Sequence, residues 1–138
     1  MIDFIEKLKE NRFASLADPL PVKDIIYMQT DLLANGLPAV PTSFLDILHE
    51  ANGISYMNAD IFGIFPQEDY IKDIVAENLR LDADENILVL GASEMDFLVY
   101  KPQKKVYQIL DRDDLEVLEE YEEKNVLKAV KAFLKIYD

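Results

Sequence analysis

The sequence contains no cysteine, no tryptophan and a single histidine among its 138 residues. Without cysteine the chain can form no disulfide scaffold and no thiolate zinc site, and it has no thiol nucleophile. Small secreted domains commonly depend on disulfides, so we expect a cytoplasmic protein. His49 lies between Leu48 and Glu50 near a predicted helix end, which favours a structural or surface role over catalysis.

Glycine is also scarce, and its four occurrences build neither a phosphate-binding loop, a nucleophile elbow nor a dinucleotide fingerprint. Two acidic segments, beginning at Asp82 and Asp111, have carboxylates in calcium-loop spacing. The first has Ile87 and the second Glu116 where such a loop requires glycine. We therefore expect no metal ion, no cofactor and no enzymatic activity.

Basic residues are the minority among the charged ones, with 14 Lys+Arg against 27 Asp+Glu and a formal net charge of −13. Nucleic acids and anionic membranes are bound through Lys/Arg clusters, so we expect neither as a partner. No window approaches the ~18 uninterrupted apolar residues that a membrane span needs. Acids and lysines interrupt the apolar stripe of residues 1–10, unlike a signal peptide. The partners we expect are neutral or basic.

Half of the residues are hydrophobic, which is enough for one core, and we treat 1–138 as a single domain. Helical spacing predicts helices in the first dozen residues and over 22–33, 43–51 and 70–79. Asn35-Gly36 is expected to end the second helix, and the spacing of Ser43 and Asp46 predicts a capping box for the third. The last helix has the clearest stripe, formed by Val126, Leu127, Val130, Phe133, Leu134 and Tyr137.

Short β-branched and aromatic runs predict strands over 61–65, 87–90, 97–100 and 106–110. The last two flank a charged loop of hairpin length and should pair antiparallel. Residues 115–118 fit a strand or a helix, and we favour a strand because the acids that follow suit an exposed turn. The fold class is α+β: N-terminal helices, then a mainly antiparallel sheet of about four to six strands with one inserted helix, and a C-terminal helix packed on the sheet.

An acidic run distinguishes residues 111–125, where eight acids accompany only Arg112 and Lys124. The run fits a solvated surface, or a surface complementary to a basic protein. Tyr100, Tyr107 and Tyr121 fit half-buried core or an interface. The candidate partner-binding residues are Asp111, Asp113, Asp114, Glu116, Glu119, Glu120, Glu122 and Glu123.

A further pattern comprises Leu37, Pro38, Pro41, Phe44, Leu45, Leu48, Asn52 and Gly53, followed by Gly63 within the run 61–64. It resembles the signature of the SUKH superfamily, in particular its YrhA-like branch, over roughly residues 20–138. The resemblance implies that Leu37-Pro38 leads into the third helix and that Asn52-Gly53 forms the helix's left-handed exit. Pro41 departs from the pattern, since many members have tyrosine there.

The resemblance implies an α+β domain whose bacterial members are largely immunity proteins that neutralise a toxin, often a nuclease or deaminase, by binding it. Nucleases tend to be basic because their substrate is a polyanion, so we expect a basic toxin domain as the partner and the acidic run as part of the interface. An alternative is an intracellular scaffold module of the same fold without a toxin partner. A small enzyme or ligand binder that uses Asp/Glu and Tyr is a third hypothesis.

Overall fold

A computed structural model describes residues 2–136 of the chain. The described residues form five α-helices, seven strands and one short 3-10 helix. The elements are α1 (Ile2–Lys9), β1 (Ala14–Leu16), α2 (Val22–Ala34), α3 (Thr42–Leu48), β2 (Ile54–Tyr56), β3 (Ala59–Ile61), α4 (Ile74–Arg80), β4 (Leu88–Ser93), β5 (Asp96–Lys101), β6 (Val106–Asp111), β7 (Val117–Glu122), the short 3-10 helix Glu123–Asn125 and α5 (Val126–Leu134). No helix within residues 2–136 is long and apolar enough to cross a membrane.

The seven strands form one antiparallel sheet in the order β1 to β7, so every strand pairs with its neighbours in the sequence. The predicted α+β class is confirmed, with one strand more than the upper number expected. The predicted hairpin over 97–110 is confirmed as β5–β6. The strand favoured at 115–118 is confirmed only from Val117, as β7, and the acids expected in a turn after it lie mostly on that strand. The prediction of a strand over 61–65 was wrong beyond Ile61, because Gly63 makes only an isolated bridge with Asp73.

Helix α5 lies across the sheet and contacts β3, β5, β6 and β7. Ala129, Val130 and Phe133 on its inner side are fully buried or nearly so. Gly91 on β4 allows the close approach, since a Cβ there would lie 3.1 Å from the Phe133 ring. The predicted C-terminal helix packed on the sheet is therefore confirmed, while Tyr137 lies outside the described residues.

The ends of the helices agree only in part with the prediction. Helix α2 ends as predicted: Gly36 has φ +73°, and the N–H groups of Gly36 and Leu37 donate to the carbonyls of Leu33 and Leu32. The capping box predicted for α3 was wrong. Pro41 precedes the helix, and no side chain caps it. The helix also ends at Leu48, so Asn52-Gly53 lies beyond its exit rather than forming it.

Helix α2 exposes part of its predicted apolar stripe. Ile25, Met28 and Leu32 are buried, but Val22, Ile26 and Leu33 are 59–62% exposed. Helix α4 is shorter than predicted, because Asp73 begins it by accepting a hydrogen bond from the N–H of Ala76 at 2.9 Å.

Three side-chain amides pair with backbone groups in the way that a neighbouring strand would. Each amide donates to the carbonyl and accepts from the N–H of one residue, at 2.7–2.8 Å. The pairs are Gln29 with Val40, Asn52 with Ile64 and Asn78 with Val89. They satisfy the backbone groups of Val40 in the α2–α3 connector, of Ile64 after β3 and of Val89 on β4, as buried backbone requires.

Candidate protein-binding surface

All eight acidic candidates lie on the hairpin formed by β6 and β7 or directly after it, and residues 111–123 are here called the acidic hairpin. Asp111 ends β6, Asp113, Asp114 and Glu116 lie in the turn, Glu119, Glu120 and Glu122 are on β7, and Glu123 begins the 3-10 helix. Strand β7 is the last of the sheet and has β6 as its only strand neighbour in the described chain. The structure thus brings the candidates together along one exposed edge.

Two carboxylates of the acidic hairpin shape its turn. One Asp111 oxygen accepts hydrogen bonds from the N–H groups of Asp113 and Asp114, at 2.8 and 3.2 Å. Asp114 in turn accepts from the N–H of Glu116 at 2.9 Å. Such local bonds are the usual reason for aspartate in turns. Asp111 and Asp114 therefore have a structural role in addition to their charge.

The one cation within the turn is directed towards the neighbouring hairpin. Arg112 donates through Nη1 to the carbonyl of Ser93 at 2.7 Å, and its guanidinium lies 5.1 Å from the centre of the Phe97 ring. These contacts hold the positive charge against the β4–β5 turn. The guanidinium of Arg112 therefore contacts the β4–β5 hairpin.

The carboxylates on β7 are held by neutral donors or by a weak ion pair. Buried Gln108 donates to Glu120 at 2.8 Å, and the Tyr121 hydroxyl donates to Glu119 at 2.7 Å. Lys124 lies 3.4 Å from Glu122, but both side chains are largely exposed, so their pairing contributes little. Neutral donors fix the two carboxylates in position without cancelling their charge.

The tyrosines of β5 and β6 belong to the core. Tyr107 is fully buried and shares a hydrogen bond of 2.5 Å with Ser43 of α3. Burial raises the pKa of the Tyr107 phenol well above its usual value of 10.0. Burial, followed by the nearby Glu123 carboxylate, also raises the pKa of Tyr100. For these two residues the core hypothesis is confirmed, whereas Tyr121 is half-buried on the edge strand.

The residues that carry the family resemblance have structural positions. Leu37, Pro38, Pro41, Phe44, Leu48, Asn52, Gly53 and Gly63 are buried, and Leu45 is partly buried. Gly63 is required for space, since a Cβ there would lie 2.5 Å from the carbonyl oxygen of Asn52. No cluster of His, Asp or Glu within residues 2–136 could hold a metal ion.

A cleft of about 340 Å³ lies at the far end of α5 and was not predicted. Three segments line it: the β2–β3 turn with Met57, the β4–β5 turn with Met95, and the end of α5 with Phe133 and Lys135. Both methionines are more than 60% exposed, and Lys135 forms an ion pair of 3.6 Å with Asp96. Sequence patterns could not reveal the cleft, because it depends on segments about 40 residues apart.

No protein-family model matches the chain, and no curated protein is significantly similar to it.

Proposed function

We propose that this chain is a non-enzymatic binding domain, an immunity protein that neutralises a basic, nuclease-type toxin through its acidic hairpin. The observation that carries the proposal is the position of the eight acids, which share one exposed edge hairpin whose internal arginine is turned towards the β4–β5 turn. The resemblance to immunity proteins, stated above from sequence motifs, supplies the toxin as the kind of partner.

Electrostatic complementarity explains how such a surface would act. A net charge of −13, with a local excess of carboxylates, attracts a cationic domain and orients it before contact. Toxins that cleave nucleic acids need a cationic surface for their substrate. A binder that covers this surface would compete directly with the nucleic acid.

The test is a rescue assay. The chain is co-expressed with the toxic C-terminal domain of a large polymorphic protein encoded beside it, and surviving cells are counted against an empty vector. We expect rescue by the wild-type chain. The absence of rescue, with both proteins expressed and folded, would contradict the immunity role and favour the scaffold alternative.

A further inference from the structure

The free edge of β7 carries backbone groups that no other strand within residues 2–136 pairs. Two hydrogen bonds fix which ones: the Asp111 N–H donates across the acidic hairpin to Glu116, and the Arg112 N–H donates to Met95 on the opposite side, both at 2.9 Å. Hydrogen-bonding direction alternates along a strand, so odd-numbered residues of β6 face β7. Their partners include Tyr121, opposite Tyr107.

It follows that Glu120 directs both its N–H and its C=O away from β6, and Glu122 its N–H, while the Glu122 carbonyl begins the 3-10 helix as its N-cap. Both side chains are exposed, and β7 is six residues long, the same length as β5 and β6. An edge strand with this length and exposure is a template on which an additional strand can form.

The charges of β7 determine what can pair there. In an edge-to-edge pair of two copies, carboxylates would stand opposite carboxylates, and like charges directly opposite are destabilising. An extended segment rich in lysine or arginine would instead place cations beside Glu119, Glu120 and Glu122. The edge is therefore protected against self-association and complementary to a basic strand.

We propose that the partner is bound by β-strand addition: an extended basic segment pairs with the free edge of β7 as an eighth strand. This proposal rests on the proposed function. Backbone hydrogen bonds to Glu120 and Glu122 would hold the segment, and the glutamate side chains would select its charge. The interaction is non-covalent.

The test compares two capped octapeptides of equal charge, a lysine-valine peptide that alternates the two residues and the same peptide with every backbone nitrogen methylated. Only the first can donate hydrogen bonds along a strand edge, because the methylated peptide has no backbone N–H. Binding to the full chain is measured by calorimetry at low ionic strength, up to millimolar peptide. We expect the lysine-valine peptide to bind at least tenfold more tightly.

A matched pair of variants isolates the backbone contribution. Glu122 has φ −61°, which proline can adopt without strain, and its N–H points outward. Glu122→Pro and Glu122→Gln lose the same charge, but only the proline variant loses the N–H. We expect Glu122→Pro to bind the lysine-valine peptide roughly 2–12-fold more weakly than Glu122→Gln, the effect of one hydrogen bond. Thermal unfolding of both variants verifies that the fold is retained.

The failures are distinguishable. Equal binding of both peptides, or equal affinity of the two variants, would overturn strand addition while leaving charge recognition by the acidic hairpin intact. Binding of neither peptide at millimolar concentration would overturn strand addition and would also count against the acidic hairpin as the surface used in the proposed function.

Discussion

Replacing Asn78 by alanine should destabilise the protein far more than an ordinary polar-to-alanine change. The Asn78 side chain is fully buried, donates to the carbonyls of Ile74 and Val89 at 2.8 Å, and accepts from the Val89 N–H at 2.7 Å. In the Asn78→Ala variant both backbone groups of Val89 lose this partner. Each unsatisfied buried group costs about 1–3 kcal/mol, so we expect a loss of about 2–6 kcal/mol in the free energy of unfolding.

Urea denaturation measures this loss directly. A single domain of this size commonly unfolds in a two-state transition, with a slope of about 1–3 kcal/mol per molar urea. Asn86→Ala is the control, because Asn86 is exposed and bonds only exposed Gln103 through its side chain. The control should change stability by no more than about 0.5 kcal/mol. If Asn78→Ala costs no more than the control, the role assigned to the amide pair is wrong.

A second substitution tests the donors of Asn78 separately. Asn78→Asp keeps the shape of the side chain but replaces the two N–H donors of the amide by at most the single O–H of a protonated carboxyl. This buried carboxyl has a pKa that burial raises. A folded-state pKa above the unfolded value of about 3.9 makes the variant lose stability as the pH rises through that range. A urea midpoint independent of pH between about 4 and 7, relative to wild type, would contradict the burial of this group.

Three further predictions concern the packing and the core tyrosine. Gly63→Ala should lower the free energy of unfolding, measured by urea denaturation, by more than about 2 kcal/mol, because the new Cβ would lie 2.5 Å from a backbone atom. Gly36→Ala should lower it by only about 1 kcal/mol, because Gly36 has φ +73° but lies in open space. Wild-type stability should fall as the pH rises above about 10, since the folded-state pKa of Tyr107 is raised above its unfolded value. In the Tyr107→Phe variant, the urea midpoint should fall less steeply than in the wild type between about pH 9 and 11. An equal pH dependence in the two proteins would contradict the raised pKa of Tyr107.

Local signals were sufficient where one segment determines its own conformation. Gly36 could be predicted as a helix end because glycine adopts positive φ without a steric penalty. Strands β4, β5 and β6 could be predicted because each has a continuous apolar run. In contrast, β1 and β2 have three residues each, which is too short for a periodic pattern.

Long-range contacts account for the remaining differences. Ser43 fits a capping box by spacing, but its hydroxyl bonds Tyr107, which lies 64 residues away. The pairs formed by Asn52 and Asn78 likewise depend on segments brought together only by the fold. For the candidate surface, the acidic residues and a strand near them could be predicted from the sequence. The position of β7 at the sheet edge and the direction of Arg112 could be seen only in the structure.

The most direct test of the acidic hairpin as the binding surface is the association rate constant between the chain and the toxin domain proposed as its partner, measured as a function of ionic strength. The variant combines Glu119→Gln, Glu120→Gln and Glu122→Gln, and the control carries Glu6→Gln, Glu68→Gln and Glu85→Gln, at positions outside the acidic hairpin. We predict that the variant associates at least tenfold more slowly than the control at low salt and shows a shallower salt dependence. Equal rate constants for variant and control at low salt would contradict the account.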